Sequence, residues 1–514
     1  MDSPAWWRDA VIYEVYPRSF ADANGDGTGD LPGITRHLPY LHALGVDAIW
    51  LTPFYRSPMI DGGYDVADHR DVDPLFGTLA DFDALLAGAH ELDLRVIVDI
   101  VPNHSSSAHP WFVEALGAPP GSPVRERYVF RPGRGPDGGL PPNDWESVFG
   151  GIAWTRVPDG QWYLHLFDPS QPDFNWQHPE VRAEFEGILR FWLDRGVDGF
   201  RIDVAHGLVK AEGLPDVGYP DQMRLRSKAV LPYWDQDEVH NVFRAWRQVL
   251  DGYPGDRMAV AEAWVSPPER LGRYVAADEL HQAFNFDFLQ APWSAKEYRE
   301  VIDGCLAASN LVGATTTWVL SNHDVQRHTT RLGSLARARA ATLMMLALPG
   351  SAYLYQGEEM GLPEVLDLPD EVRQDPEFIR SDGEKLGRDG CRVPLPWSGH
   401  TPPFGFTTAP AAWLPAPASW AGLTVAAQEH DPDSTLALYR EALRIRRSLS
   451  REVVPLVWHD SPAEVLDFTG RGGLRCMVNL GTHPVRIPRG YALSSGPVPD
   501  GTLPPDTAVW LSPR

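Results

Sequence analysis

The stretch that decides the fold is GFRIDVAH, Gly199 to His206. Apolar Phe200, Ile202 and Val204 alternate with Arg201 and Asp203, the period of a strand whose successive side chains point to opposite faces. On that reading Arg201 and Asp203 share one face, and Phe200, Ile202 and Val204 the other. A guanidinium beside Asp203 favours its ionised form. Taken alone, the same pattern also fits a purely structural ion pair.

Seven further short apolar or β-branched runs end in polar residues in the same way. They are VIYEVY (11–16), VDAIWLTP (46–53), RVIVDIVPNH (95–104), RMAVAEAW (257–264), AFNFDF (283–288), TTTWVLSNHD (315–324) and SAYLYQGEE (351–359). Helical patterns such as LADFDALLAGAHELD and VRAEFEGILRFWLDRG lie between most of them. Strands alternating with helices predict a parallel sheet. Eight such units with reactive residues at strand C-termini predict an α/β fold, a (β/α)8 TIM barrel with its active site at that face.

Two regions leave the repeat, 105–175 and the Pro-rich, irregular 360–434 that follows strand 8. Residues 105–175, rich in Pro, Gly and Trp, are too long for an ordinary βα loop and are expected to form an inserted subdomain after strand 3. The barrel is then expected over 1–104 and 176–449. Within it, STLALYREALRIRRSL sets Leu438, Ala442, Ile445 and Leu449 on one helical face, with Ser434 or Asp433 as N-cap. From 450 to 514, runs such as AEVLDF and LRCMVNL predict a C-terminal antiparallel β domain.

Bulk composition narrows the function. The chain has 514 residues, 43% hydrophobic and 22% charged, ordinary values for a globular protein. A net charge of −24 disfavours nucleic-acid partners. Nineteen Trp supply packing area, and a few can stack on sugar rings. Cys305, Cys391 and Cys476 are odd in number and widely spaced, so neither a disulfide framework nor a zinc site is predicted. No secretion signal or membrane span is visible, which predicts a cytoplasmic protein.

The chemistry lies in the strand ends. Asp203 suits a nucleophile. Glu262 in AEAW sits among apolar neighbours, where burial and nearby carboxylates would raise its pKa towards that of a general acid. Asp324 closes SNHD, and His104 and His323 end strands 3 and 7. Three carboxylates with two neutral His donors constitute glycosidase machinery, and cleavage with retention needs two carboxyls about 5–5.5 Å apart. Near the start, ADANGDGTGD (21–30) places oxygens at alternate positions on a Gly-rich turn, as a hard cation such as Ca²⁺ requires. The competing reading is an Asx-rich turn with no metal.

As a set, DIVPNH, QPDFNW, GFRIDVAH, AEAW, SNHD and GRDGCRVPLPW make the chain resemble the α-amylase superfamily, glycoside hydrolase family 13, in its α-glucosidase and oligo-1,6-glucosidase branch. The resemblance covers essentially the whole chain. It implies that Asp203 is the nucleophile, Glu262 the acid/base and Asp324 the transition-state stabiliser. It implies glucose binding by His104, His323, Arg201 and Tyr64, the last stacking under the ring. Asp61 and Arg392 would close the pocket around a terminal non-reducing glucose, although DGGYD carries Gly62 where relatives have Asn. The early loop would bind a structural Ca²⁺, or Mg²⁺, through Asp22, Asn24, Asp26, Asp30 and the backbone oxygen of Thr28. The expected activity is a retaining exo-α-glucosidase on short oligosaccharides or disaccharides, with possible transglucosylation. The alternative is a trehalose synthase or sucrose isomerase on the same scaffold. A catalytically dead transporter subunit would lack the carboxylates and carry a membrane span. Val204, the residue after the nucleophile, resembles enzymes favouring α-1,6 linkages, where Thr accompanies α-1,4. A broad enzyme cleaving both is expected.

Overall fold

The computed structural model describes residues 5–512 apart from 226–227, 452–453 and 489, so parts of the loop 205–240 and of the span 450–514 lie outside the described residues. Eight parallel strands form the centre: β1 (Val11–Val15), β2 (Ala48–Leu51), β3 (Arg95–Ile100), β4 (Gly199–Ile202), β5 (Met258–Ala261), β6 (Gln282–Ala283), β7 (Thr317–Val319) and β8 (Ser351–Tyr355). Their hydrogen-bonded order is β6-β5-β4-β3-β2-β1-β8-β7. A parallel bridge between Phe284 and Thr317 joins the two outer strands and closes the barrel. All eight expected strands are therefore present, in the expected order.

The period of two explains how the barrel is filled. Ile12, Trp50, Ile97, Met258, Val260, Val319 and Tyr353 meet inside it. Their neighbours Val11, Tyr13, Ile49, Val96, Val98 and Phe200 face outward and pack with the helices. Two residues beyond the inward Ile12, Ile97 and Gly199 come Glu14, Asp99 and Arg201. The same alternation that builds the apolar core thus sets a polar layer on top of it.

The surrounding helices start and stop where local chemistry dictates. Leu79–Glu91 opens with a reciprocal Thr78–Asp81 capping box, and Pro179–Arg195 ends at Gly196 in the left-handed conformation. The helix Thr435–Ser448 is capped by Ser434, whose hydroxyl accepts the Ala437 N–H. Leu438 and Ala442 are buried on it, and Ile445 and Leu449 pack half-buried against the same core.

Between β3 and β4 the chain builds a three-stranded antiparallel sheet, Phe130–Pro132, Gln161–Leu164 and Trp154–Arg156, with the long middle strand in the centre. Trp145, Trp154 and Trp162 pack under it with Leu231 and Trp234 from beyond β4. After the barrel, an antiparallel sheet of Val457–Trp458, Val465–Thr469, Arg475–Asn479, Thr507–Leu511 and Tyr491–Ser494 follows. Trp510 ties it to the barrel by donating to the Leu343 carbonyl at 2.9 Å. No described helix is long and apolar enough to cross a membrane.

Candidate active site

A pocket of about 560 Å³ opens above the polar layer, lined by Asp61, Tyr64, His104, Asp203, Glu262 and Asp324 among others. Five strand ends and the inserted segment bring these side chains together. Arg392 is not among the lining residues, and Arg201 and His323 lie just behind them, 1% and 0% exposed.

Arg201 organises the floor. Its Nη1 donates to Asp203 Oδ1 at 2.6 Å and to Asp99 at 3.0 Å, and its Nη2 lies 3.5 Å from Glu262 Oε2. One buried guanidinium therefore serves three carboxylates. Burial pushes the Asp203 carboxyl up and Arg201 opposes it, with Glu262, Asp99 and Asp324 adding to the upward push. Asp99, equally buried, is pushed up to about 7 by burial against the pull of Arg201. Tyr64 and Trp50 also donate to Asp99.

Strand alternation fails at one point. β4 ends at Ile202, and Val204 takes φ 45° and ψ 42°, a left-handed conformation that costs a β-branched residue free energy. Val204 consequently lines the pocket and packs with the inserted segment's Trp cluster, away from the Phe200 and Ile202 face. The turn aims its N–H at Glu262 Oε2, 2.7 Å away. The indole of Trp264 donates to the other oxygen at 2.6 Å, with its ring stacked on Phe286 at 3.9 Å. Both Glu262 oxygens are thereby fixed.

Asp324 is the most strongly compensated carboxylate of the site. Burial alone would raise it, but His323, Arg388 and Arg392 hold it well below the usual range. Both guanidiniums donate to its Oδ1 at 3.0 Å. Burial keeps His104 neutral, with a pKa near 4, and pulls His323 well below its ordinary value. Tyr64 stacks on His323 at 5.2 Å with 6° between the planes.

The expected partner of Asp61 needs correction. Arg388, not Arg392, pairs with Asp61, at 2.5 Å, and also reaches Asp324 and Asp375. Arg392 instead donates to the His323 carbonyl and to Asp324 from behind. Gln171 of QPDFNW, which sequence reasoning missed, donates to Asp61 Oδ2 at 3.0 Å and lies 3.1 Å from His104 Nε2. Gly62 stands in the left-handed region, with φ 57°, and a Cβ there would lie 2.7 Å from the Tyr16 hydroxyl. Asp65 secures the turn by accepting the Ile60 and Asp61 N–H groups.

The loop of Asp22, Asn24, Asp26, Thr28 and Asp30 offers oxygen donors only, as a hard cation needs. Asp22 accepts the Gly25 and Gly27 N–H groups, Asp26 that of Thr28, and Asp30 those of Ala23, Asn24 and Gly33. Asp30 Oδ2 accepts two N–H groups and Asp22 Oδ2 also accepts the Thr407 hydroxyl, whereas Asp22 Oδ1, Asp26 Oδ1 and Asp30 Oδ1 each accept one bond and retain a lone pair. Among the described residues no three His, Cys, Asp or Glu side chains are gathered to hold a metal ion. The donor set, oxygen throughout, is of the chemistry that a hard cation takes.

The chain is similar to known proteins over most of its length. A family model described as the catalytic domain of alpha amylase matches residues 14–453. A probable alpha-glucosidase of Rhizobium meliloti (strain 1021) is 42% identical over 465 residues, covering 86% of this chain and 83% of the relative. An oligo-1,6-glucosidase of Parageobacillus thermoglucosidasius is 39% identical over 380 residues, covering 70% of this chain and 66% of the relative, so the chain spans just under two thirds of that protein's length. Among solved structures, an alpha-glucosyl transfer enzyme superposes with a TM-score of 0.88 at 37% identity, over 99% of this chain and 100% of the other. A trehalulose synthase from Pseudomonas mesoacidophila MX-45 gives 0.89 at 31%, over 99% of each.

Proposed function

The chain belongs to the α-amylase family of glycoside hydrolases, and from that membership we propose a retaining, exo-acting α-glucosidase that removes terminal non-reducing α-linked glucose from short oligosaccharides. The observation that carries this reading is the single Arg201 guanidinium shared by Asp203 and Glu262, beside Asp324, in a pocket flanked by the Asp61–Arg388 pair.

Asp203 attacks the anomeric carbon as Glu262 protonates the departing glycosidic oxygen, giving a covalent glucosyl–enzyme. Glu262 then takes a proton from water, which hydrolyses the intermediate and restores Asp203. Arg201 orients the nucleophile and offsets its charge. Asp324, kept ionised, and His104 and His323, kept neutral, hold sugar hydroxyls. Tyr64 lies under the ring. Asp61 with Arg388 limits the far end of the pocket, which favours release of one terminal unit.

Incubation with maltose, isomaltose, sucrose and trehalose separately tests the reading. Glucose release from maltose and isomaltose is expected. Conversion of sucrose into an isomeric disaccharide with little free glucose would replace it by the second reading, a glucosyl-transferring isomerase, which the similarity to a trehalulose synthase favours.

The oxygen-only donor set supports a structural Ca²⁺ or Mg²⁺ at the loop 22–30. Metal analysis of purified protein checks this, with chelation expected to lower the melting temperature more than turnover, since a bound ion stabilises the native state by mass action. Cytoplasmic residence fits Cys305, Cys391 and Cys476, all free and buried.

A further inference from the structure

Glu14 is a buried carboxyl that the mechanism above leaves unused. It projects from β1 into the polar layer, 1% exposed, and its Oε1 lies 2.5 Å from Nδ1 of His323. The His323 backbone N–H points at the same oxygen, 3.3 Å away. The imidazole stacks with two aromatic rings, Tyr64 and, 6.0 Å away and nearly parallel, Tyr16, and meets Trp50 edge-on. It therefore has one orientation, with Nε2 3.3 Å from Asp324 Oδ2.

Protons can be counted on these atoms. Asp324 is an ionised acceptor 3.3 Å away, so Nε2 must carry hydrogen; a lone pair there would face a carboxylate oxygen. A contact as short as 2.5 Å between Nδ1 and Oε1 holds a second proton. We propose that Glu14 is a positioning residue that remains a neutral carboxylic acid and donates its O–H to Nδ1, locking His323 as the tautomer whose Nε2–H points towards Asp324 and the glucosyl hydroxyls. The surroundings favour the proton on oxygen. Burial raises Glu14, opposed by Arg201 and reinforced by Asp324 and Asp99. Burial lowers His323, opposed by Asp324 and reinforced by Arg392, Arg201 and Arg388. From the β8 side, Tyr355 completes the groups that face Glu14.

This inference rests on the hydrolase reading for its kinetic consequence, so its test includes a measurement that needs no turnover. A difference infrared spectrum between wild type and Glu14→Gln, at neutral pH without substrate, is expected to show the carbonyl stretch of one protonated carboxylic acid present only in wild type. Glu14→Gln replaces O–H by N–H and should keep kcat/KM on an aryl α-glucoside within about fivefold, whereas Glu14→Leu, which can neither donate nor accept, should lose about 100-fold or more. Should Glu14→Leu not fold, the infrared band and the Glu14→Gln rate decide between them. Absence of the band from the difference spectrum, or a Glu14→Gln enzyme as impaired as Glu14→Leu, overturns the proposal.

Discussion

Two aspartates bracket β4, and they live under opposite electrostatic regimes. Asp198, at its N-terminal end, is fully buried and accepts from His90 at 2.7 Å, Arg257 at 2.7 Å, Arg95 at 3.1 Å and the Val96 N–H at 2.9 Å. Although burial opposes it, this crowd of donors holds its carboxyl below the usual range. Asp203, at the C-terminal end, has one guanidinium and shares it with Asp99 and Glu262. The first aspartate has more positive partners than it needs and the second has fewer. Over-compensation makes a stable knot, and under-compensation leaves the Asp203 carboxyl raised by burial against the pull of Arg201. On the mechanism proposed above, the stabilising end and the reactive end lie at opposite ends of a single strand.

Charge-removing substitutions at the two ends should therefore fail in different ways. Asp203→Asn and Glu262→Gln are expected to lower turnover of an aryl α-glucoside by several orders of magnitude while circular dichroism and the thermal midpoint stay near wild type. Near-normal hydrolysis by folded Asp203→Asn would end the assignment of the nucleophile. Asp198→Asn should do the reverse, leaving kcat of the folded protein within a few-fold and reducing stability. Because Arg95 and His90 reach solvent, the cost should fall at or below the lower end of the about 3–5 kcal/mol typical of breaking a buried pair. The sign with pH is fixed by the depressed carboxyl. Its contribution is present above the unfolded value of about 3.9 and is lost as pH falls through the lower folded value, so the gap between variant and wild type should close on acidification. Thermal midpoints at pH 7 and below pH 4 measure this.

The smallest effect sharpens the comparison at the residue after Asp203. Val204→Thr keeps a β-branched side chain at the same left-handed turn and adds only a hydroxyl to the pocket wall. One hydrogen bond to the departing sugar is worth about 0.5–1.5 kcal/mol, so the ratio of kcat/KM for maltose over isomaltose should rise by at most about tenfold. An unchanged ratio would show that this side chain does not select the linkage.

The sequence displayed the barrel because short apolar or β-branched runs ending in polar residues recur eight times, with helical patterns between most of them, as strands buried on both faces require. Asp203, Glu262 and Asp324 were legible for the same reason, since each follows such a run by one to five residues. The partner of Asp61 was not legible. Arg388 and Arg392 lie four residues apart in a segment without regular periodicity, and only the folded loop shows which reaches across the pocket. Gln171 carries no charge to advertise it. Val204 was misread because alternation was extended two residues past the true end of β4, where the chain leaves the sheet.

Barrel closure has a dynamic consequence. β6 is two residues long, and among the described residues it is joined to β7 by one bridge just past its end, Phe284–Thr317, whereas β1 pairs with β8 over four residue pairs. Free energies of local opening follow the number of bonds that must break. In a hydrogen-exchange experiment the amides along this seam should exchange by sub-global opening well before those of β1, β2 and β8. Asp287 and Gln290, which line the mouth of the pocket, follow directly after β6. The same seam that closes the barrel thus supplies the wall best able to yield as sugars of different length enter and leave.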